Sequence, residues 1–420
     1  MTESSRSAAW KWWVCALLLG ASAINYMDRQ TLANAAIRIT REFRLNQEQY
    51  GNLELAFGWA FAGGSLIFGS LADRLPVRWL YPAVLALWSI VGFSTGLAHN
   101  YREVLICRGL LGFFEAGHWP CAIKTTQRLL DPKDRTMGNG LLQSGASVGA
   151  IITPLLMNWL MTNDAGSWRF PFQAIGIGGA VWIFVWLILI RSDDLRVTYA
   201  KGNTPASATP SNFWRLLLDR RLIIVLVTIS LINTSWQLLR AWLPKFLIEG
   251  RGYLESNALN FNALFYVASD IGCVGAGAAT LWLHRRSLSV HNARVLVFFC
   301  CAVMAALAMF VGILPRGWLL LAVLLFVAAG VLGVFPCYHA LTQEISPMHQ
   351  GKITGLAGVV AWAIGSPTHH FFGRHIDRTG SFDLGLAIAG SLPLAAFAFI
   401  WTFWNSPRQA TANVSATQSV

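Results

Sequence analysis

Charge is what this sequence has least of. Only 12% of its 420 residues are Asp, Glu, Lys or Arg, about half the roughly 25% of a soluble domain. So few ions cannot cover a water-facing surface of that size, which excludes an ordinary soluble globule. Enzyme signatures are also scarce. There is no HExxH and no phosphate-binding P-loop, so zinc hydrolysis and nucleotide chemistry have no support and an enzyme is not expected. The seven cysteines (Cys15, Cys107, Cys121, Cys273, Cys300, Cys301, Cys337) make no CxxC and no Cys/His ligand spacing. Neither a structural metal nor a disulfide framework is expected, and all seven read as small buried thiols inside apolar runs. No cofactor is implied.

What is present is apolar. Hydrophobic residues make up 55% of the chain, with 19 Trp and 25 Phe, and the mean hydropathy is +0.49. That exceeds what one globular core absorbs, so much of it must face lipid. The formal net charge of +12 raises the question of nucleic acid. The Lys and Arg residues, however, sit mostly in short breaks between apolar runs, where they read as charges that orient a membrane protein. The first run, 12–24, lacks a small-residue cleavage site and continues into Asn25-Tyr26-Met27-Asp28-Arg29, so it is expected to stay as a membrane helix.

A bilayer core of about 30 Å takes roughly 20 helical residues. Runs of that order lie at 12–34, 50–72, 79–98, 102–127, 136–160 and 169–191, and again at 221–247, 257–283, 293–313, 317–343, 351–372 and 383–404. The expected fold is an all-α membrane protein: twelve transmembrane helices in two six-helix pseudo-symmetric bundles. The bundles take residues 1–191 and 221–420, joined by a polar linker over 192–220. The Lys and Arg bias of the loops puts both termini and the linker in the cytoplasm. The halves also echo one another: Gly112 to Cys121 in helix four against Gly330 to Cys337 in helix ten, each followed by a turn, Asp131-Pro132 or Ser346-Pro347. Two readings stand, an internal repeat with a midplane site between its halves, or the likeness of any two Gly-rich membrane helices.

After helix two comes Gly69-Ser70-Leu71-Ala72-Asp73-Arg74-Leu75-Pro76-Val77-Arg78. It resembles the major facilitator superfamily motif G-x-L-[AS]-D-R-x-G-[RK]-[RK], with Pro76 in place of the second glycine. The resemblance implies a gating role for Gly69, Asp73, Arg74 and Arg78. Asn25-Tyr26-Met27-Asp28-Arg29, and the run from Arg108 through Glu115 to Pro120, resemble signatures of that superfamily's anion:cation symporter family. Gln143-Ser144-Gly145, Trp242 to Leu247 and Ile376 to Ser381 extend the likeness over most of the chain. Such transporters carry hexuronates, aldonates and other carboxylates. The chain departs from the pattern at Phe61, where a tyrosine is expected, and at His118; Arg240 and His369-His370 have no place in it.

The buried charges point the same way without any family. An ionisable group at the bilayer centre costs at least about 2.5–3.5 kcal/mol, so each calls for an explanation. The candidates are Asp28, Arg29, Arg108, Glu115, Lys124, Arg240 and Asp270. Arg108 and Glu115 stand seven residues apart, two turns along one helix face, and either approach each other or share a partner from helix one. Burial favours a neutral carboxyl and a nearby arginine favours a charged one, so a substrate that diverts the arginine can switch protonation. Asp28 and Glu115 are therefore expected to carry protons, with Arg108 controlling Glu115; the alternative is a permanent ion pair locking helices one and four. Arg29, with a planar fork suited to a carboxylate, and Tyr26 are expected to bind substrate, unless Arg29 pairs structurally with Asp28 or Asp73. Gln143, Trp236 and Gln237 are expected in the cavity wall. Arg240 is either a second cationic contact or an interfacial residue, Asp270 a packing or capping residue, and Lys124 a snorkelling one.

The expected function is proton-coupled symport of a small organic anion, a sugar acid such as a hexuronate or aldonate, by alternating access. The expected setting is a bacterial inner membrane, with substrate, protons and lipids as partners, no nucleic acid, and a monomer. A drug:proton antiporter of the same fold and a non-transporting sensor are the alternatives.

Overall fold

A computed structural model describes residues 8–130, 135–191, 194–195, 219–345 and 350–404; the side chain of Asp73 and a few others fall outside that description. The turns at Asp131-Pro132 and Ser346-Pro347, and almost all of the 192–220 linker, lie outside the described residues, as do the terminal segments.

The first half runs α1 (Ala8–Glu42), α2 (Gln47–Arg74), α3 (Val77–Thr95), α4 (Tyr101–Glu115), α5 (His118–Leu129), α6 (Arg135–Leu160) and α7 (Arg169–Leu189). The second runs α8 (Arg220–Lys245), α9 (Glu255–Arg285), α10 (Val290–Ala306), α11 (Trp318–Ile345), α12 (Gln350–Gly365), α13 (Pro367–Thr379) and α14 (Asp383–Phe403). No strand occurs among the described residues.

Nine helical stretches among the described residues are long and apolar enough to cross a membrane. The other three expected crossings have identifiable reasons for falling short, and the count is compatible with twelve. Helix α1 carries Lys11, Asp28, Arg29, Arg38 and Arg41 along its length. The fourth crossing, expected unbroken over 102–127, is split into α4 and α5 at Ala116-Gly117. A Cβ built on Gly117 would lie 2.7 Å from a Val84 methyl carbon, so only glycine lets the break sit against α3. The eleventh is split at Ser366 because Pro367 brings no amide donor and disfavours a helical residue before it. The break in the fourth crossing has no counterpart in α11, which runs continuously through Gly330 and Cys337.

The two halves pack alike. In the first, α1 lies on α6, α2 on α4 and α3 on α7; in the second, α8 lies on α12, α9 on α11 and α10 on α14. The halves meet through α2 with α12 and α13, through α6 with α9, and through α1 with α8. This pairing, and not the sequence echo, is what carries the pseudo-symmetry. The outer surface is apolar, with Phe184 and Ile188 of α7, Ile271 and Val274 of α9 and Trp401 of α14 exposed, as a lipid-facing wall requires.

The tryptophans divide between this surface and the interior: Trp13, Trp159, Trp318 and Trp401 are exposed, whereas Trp88, Trp168, Trp186 and Trp242 are fully buried. The buried tryptophans follow from wide bundles, in which residues far from lipid still fill space between helices. Not all cysteines are buried, since Cys300 is exposed and Cys107 and Cys273 are half-buried.

At the end of the bundle opposite the α2–α3 turn, the halves are sealed. Asp377 of α13 accepts from the backbone amides of Gln47 and Glu48, at 2.8 Å each. Arg38 clamps Glu255 with Nε and Nη2, and the Tyr50 hydroxyl donates to the Ala241 carbonyl at 2.7 Å. A Cβ on Gly51 would lie 2.1 Å from the His369 carbonyl oxygen, so glycine permits the close approach of α2 and α13.

Candidate functional site

A cavity of about 830 Å³ lies between the halves. Its wall includes Tyr26 and Arg29 of α1, Gln143 and Ser147 of α6, Trp236 and Gln237 of α8, and Asp270 of α9. It continues along Gly69 and Ala72 at the end of α2, Lys124 of α5 and Gly355 at the start of α12. These residues reach the α2–α3 end but stop short of the sealed end, so the cavity opens at the former. Tyr26, Arg29, Gln143, Trp236 and Gln237, expected at the substrate site, all line this cavity, and Gly69 of the loop motif lines its α2 end.

Beside the cavity six ionisable groups lie buried, none more than 5% exposed: Asp28, Arg29, Glu54, Arg108, Glu115 and Arg240. Three guanidinium groups face three carboxyls, and the pairing differs from expectation. Arg29 donates from Nε to Glu115 at 2.6 Å. Arg108 donates to one oxygen of Glu54 at 3.1 Å, and Arg240 to the other at 2.6 Å. Arg108 and Glu115 therefore neither hold each other nor share a partner: Arg29 of α1 holds Glu115, and Glu54 of α2 holds Arg108. Arg29 is likewise not paired with Asp28, and the Asp73 alternative lies outside the described residues.

Arg240 is neither an interfacial residue nor a second cation in the cavity. Its Nε donates to Gln237 at 2.7 Å, and with Nη2 on Glu54 its fork is occupied. Glu54 was missed by sequence reasoning altogether. It stands only five positions into the 50–72 run, where a charge ordinarily reaches water. Here α8, with Arg240, covers that end of α2.

Arg29 is held by aromatic faces as well as by Glu115. Its Cζ lies 4.7 Å from the Phe61 centroid, 5.4 Å from Tyr26 and Phe57, and 5.8 Å from Trp362, all within cation–π range. Nη2 has no hydrogen-bond partner. Phe61, where a tyrosine was expected, serves this cage. Asp28 is packed behind: both its oxygens lack a hydrogen-bond partner, and a Cβ on Gly92 would come within 2.9 Å of one of them.

The other singled-out groups fall as follows. Lys124 donates to the Ala72 carbonyl and lines the cavity, so it does not reach out toward lipid headgroups. Asp270 caps no helix; it stands mid-way along α9 and accepts from Ser147 of α6 at 2.8 Å. Gly145-Ala146-Ser147-Val148-Gly149 spells a nucleophile-elbow string, but it lies inside the continuous helix α6, without the strand-to-helix turn that chemistry needs. His118 is buried between the Ser22 and Tyr81 hydroxyls at 3.0 and 2.9 Å. His369 accepts from the Trp242 indole at 3.1 Å and His370 meets Asn52 at 2.7 Å, so neither lines the cavity. In the loop motif, Arg74 is exposed and Arg78 stacks on Trp79 at 4.7 Å, while the side chain of Asp73 lies outside the description.

The family model described as Major Facilitator Superfamily matches residues 18–368. Among curated proteins the chain is 22% identical to the hexuronate transporter of Escherichia coli, covering 93% of each. It is 25% identical to a probable L-galactonate transporter of the same species, over 92% of this chain and 87% of the other. It is also 25% identical to a probable sulfoacetate transporter of Cupriavidus necator, over 88% of each. Among solved structures, a bacterial homologue of the human lysosomal transporter Spinster, inward-facing and unoccupied, superposes with a TM-score of 0.76 at 17% identity. That match covers 95% of this chain and 96% of the other. An inward-open xylose transporter from E. coli gives 0.74 at 13% identity, covering 95% and 98%.

Proposed function

Because the chain belongs to the major facilitator superfamily, and is thus a multi-pass transporter and not an enzyme, we propose that it moves a sugar acid together with protons by alternating access. The membrane is the bacterial inner membrane, with the α2–α3 end in the cytoplasm. The names of relatives aligned over most of their length, hexuronate and galactonate transporters, support the substrate class. The loop charge bias supports the orientation.

One observation carries the coupling. Arg29 faces the cavity with Nη2 unpartnered while its Nε holds Glu115. A substrate carboxylate arriving at the guanidinium takes a two-pronged contact and competes with Glu115 for it. A buried carboxylate deprived of its cation is too costly to stay charged, so Glu115 takes a proton as the substrate binds. On the cytoplasmic side the steps reverse: substrate leaves, Arg29 returns to Glu115, and the proton is released. Asp28, which directly precedes Arg29 and has no donor to either oxygen, is the second proton carrier. Arg108 acts on this pair through the local field and not by contact. No cofactor is involved, and the unit is a monomer.

The test is uptake of labelled galacturonate, glucuronate and galactonate into proteoliposomes under an imposed proton gradient. Glu115→Gln abolishes gradient-driven accumulation while exchange across equal pH survives. Arg29→Ala lowers uptake at least about thirtyfold, the equivalent of losing one partner of a buried charge contact. Accumulation by Glu115→Gln equal to wild type would sink the coupling scheme, and no flux of any acid by folded wild type would return the antiporter and the sensor.

A further inference from the structure

The coupling scheme leaves one carboxylate of the cavity unused. Asp270 stands half-buried in the cavity wall, on the second half of the molecule, facing the half that carries Arg29. The Ser147 hydroxyl donates to its Oδ1 at 2.8 Å. No cation pairs with it among the described residues, and its Oδ2 has no hydrogen-bond partner there. An acidic group in the wall of an anion cavity works against net binding unless it meets a donor on the cargo. The same wall also carries neutral amides, Gln143, Asn233 and Gln237, which both donate and accept.

We propose that Asp270 is a specificity-determining residue. It accepts a hydrogen bond from a hydroxyl on the part of the substrate remote from the carboxylate at Arg29, and it repels any cargo with a second anionic group there. The cargo is then a hydroxylated monocarboxylate, and the dicarboxylate of the same carbon chain is excluded. The chemistry is asymmetric. A terminal hydroxyl supplies the proton that Oδ2 lacks, whereas a terminal carboxylate supplies none and brings a like charge into a partly desolvated wall. Selection against the wrong partner by an introduced repulsion is an ordinary route to specificity. The inference rests on the sugar-acid reading above and adds to it the end of the molecule that Arg29 does not touch.

Galactonate and galactarate make the test, because they share one polyol chain and differ only in the terminal group, hydroxymethyl or carboxylate. Both compete with labelled galactonate for uptake at neutral pH into proteoliposomes holding the intact transporter. Wild type prefers galactonate at least about tenfold, a modest part of the repulsion between two charges at contact distance. In Asp270→Asn, whose amide donates to a carboxylate, the gap shrinks at least about fivefold. Asp270→Glu keeps the charge, so the gap against galactarate persists even as the longer side chain weakens galactonate. Equal competition by the two acids in wild type, an unchanged gap in folded Asp270→Asn, or a gap lost in Asp270→Glu would each overturn the proposal. If wild type takes up none of galactonate, galacturonate and glucuronate, the sugar-acid reading falls and this inference with it. Uptake with an unmoved ratio removes Asp270's role alone.

Discussion

Glu54 holds two arginines from different parts of the molecule, Arg108 of α4 and Arg240 of α8. It is 1% exposed, and it ties the first half to the second at the level of the ion cluster. Removing one partner of a buried pair leaves an uncompensated charge and costs about 3–5 kcal/mol, and here two arginines lose their counter-ion at once. Glu54→Gln should therefore lower the melting temperature in detergent by several degrees, and adding Arg240→Met should recover part of the loss. A Glu54→Gln protein that melts with wild type would show that the triad bears no load. Five of the six clustered groups (Asp28, Arg29, Arg108, Glu115, Arg240) were legible in the sequence because a charge deep in an apolar run needs a reason. Glu54 was not, since a charge near the end of a run ordinarily reaches water. The pairing was not legible either: a seven-residue spacing fixes the helix face shared by Arg108 and Glu115 but not what faces it. Their partners come from α1 and α2, so tertiary packing decides.

Helix ends carry a second kind of information. The amides of Gln47 and Glu48, at the first turn of α2, are donors that no intrahelical carbonyl takes. Asp377 supplies the acceptor from the other half, alongside the local box made by Asn46 and Gln49. A carboxylate at a helix N-terminus is favoured both by hydrogen bonding and by the helix dipole. This contact exists only while the end opposite the α2–α3 turn is closed, so it stabilises one conformation over the other. With about 1 kcal/mol for a lost cap, Asp377→Ala should raise the population open at that end about fivefold. Pulsed spin-label distances between the α1–α2 and α13–α14 turns would report it; an unchanged distribution would mean that other contacts decide closure. Most helices were visible as apolar runs, but the breaks at Gly117 and Ser366 were not. A Gly or Pro inside an apolar run is compatible with a continuous helix until a neighbour presses against it, as α3 does on α5.

At the scale of the whole molecule, the matched packing of the halves and the one-sided seal make a single statement about access. The cavity wall runs to the ends of α2, α5 and α12 on the motif side, while Asp377, Arg38 and Tyr50 close the other side. A native reporter already sits in the wall: Cys273, one turn beyond Asp270 on α9, is half-buried and lines the cavity. Cys300, by contrast, is exposed beside Phe299 and Val303 on an apolar face of α10, where lipid shields it from a water-soluble reagent. A membrane-impermeant maleimide should therefore modify Cys273 in inside-out vesicles and leave it untouched in right-side-out ones. Galactonate should slow the reaction, and Cys273→Ser should remove the signal. Equal labelling from both faces would break the seal, while labelling only in right-side-out vesicles would reverse the orientation and leave the seal intact. Protection by galactonate ties the same thiol to the cargo, because a solute that neither fills the cavity nor shifts its opening has no means of changing the reactivity of a side chain in its wall.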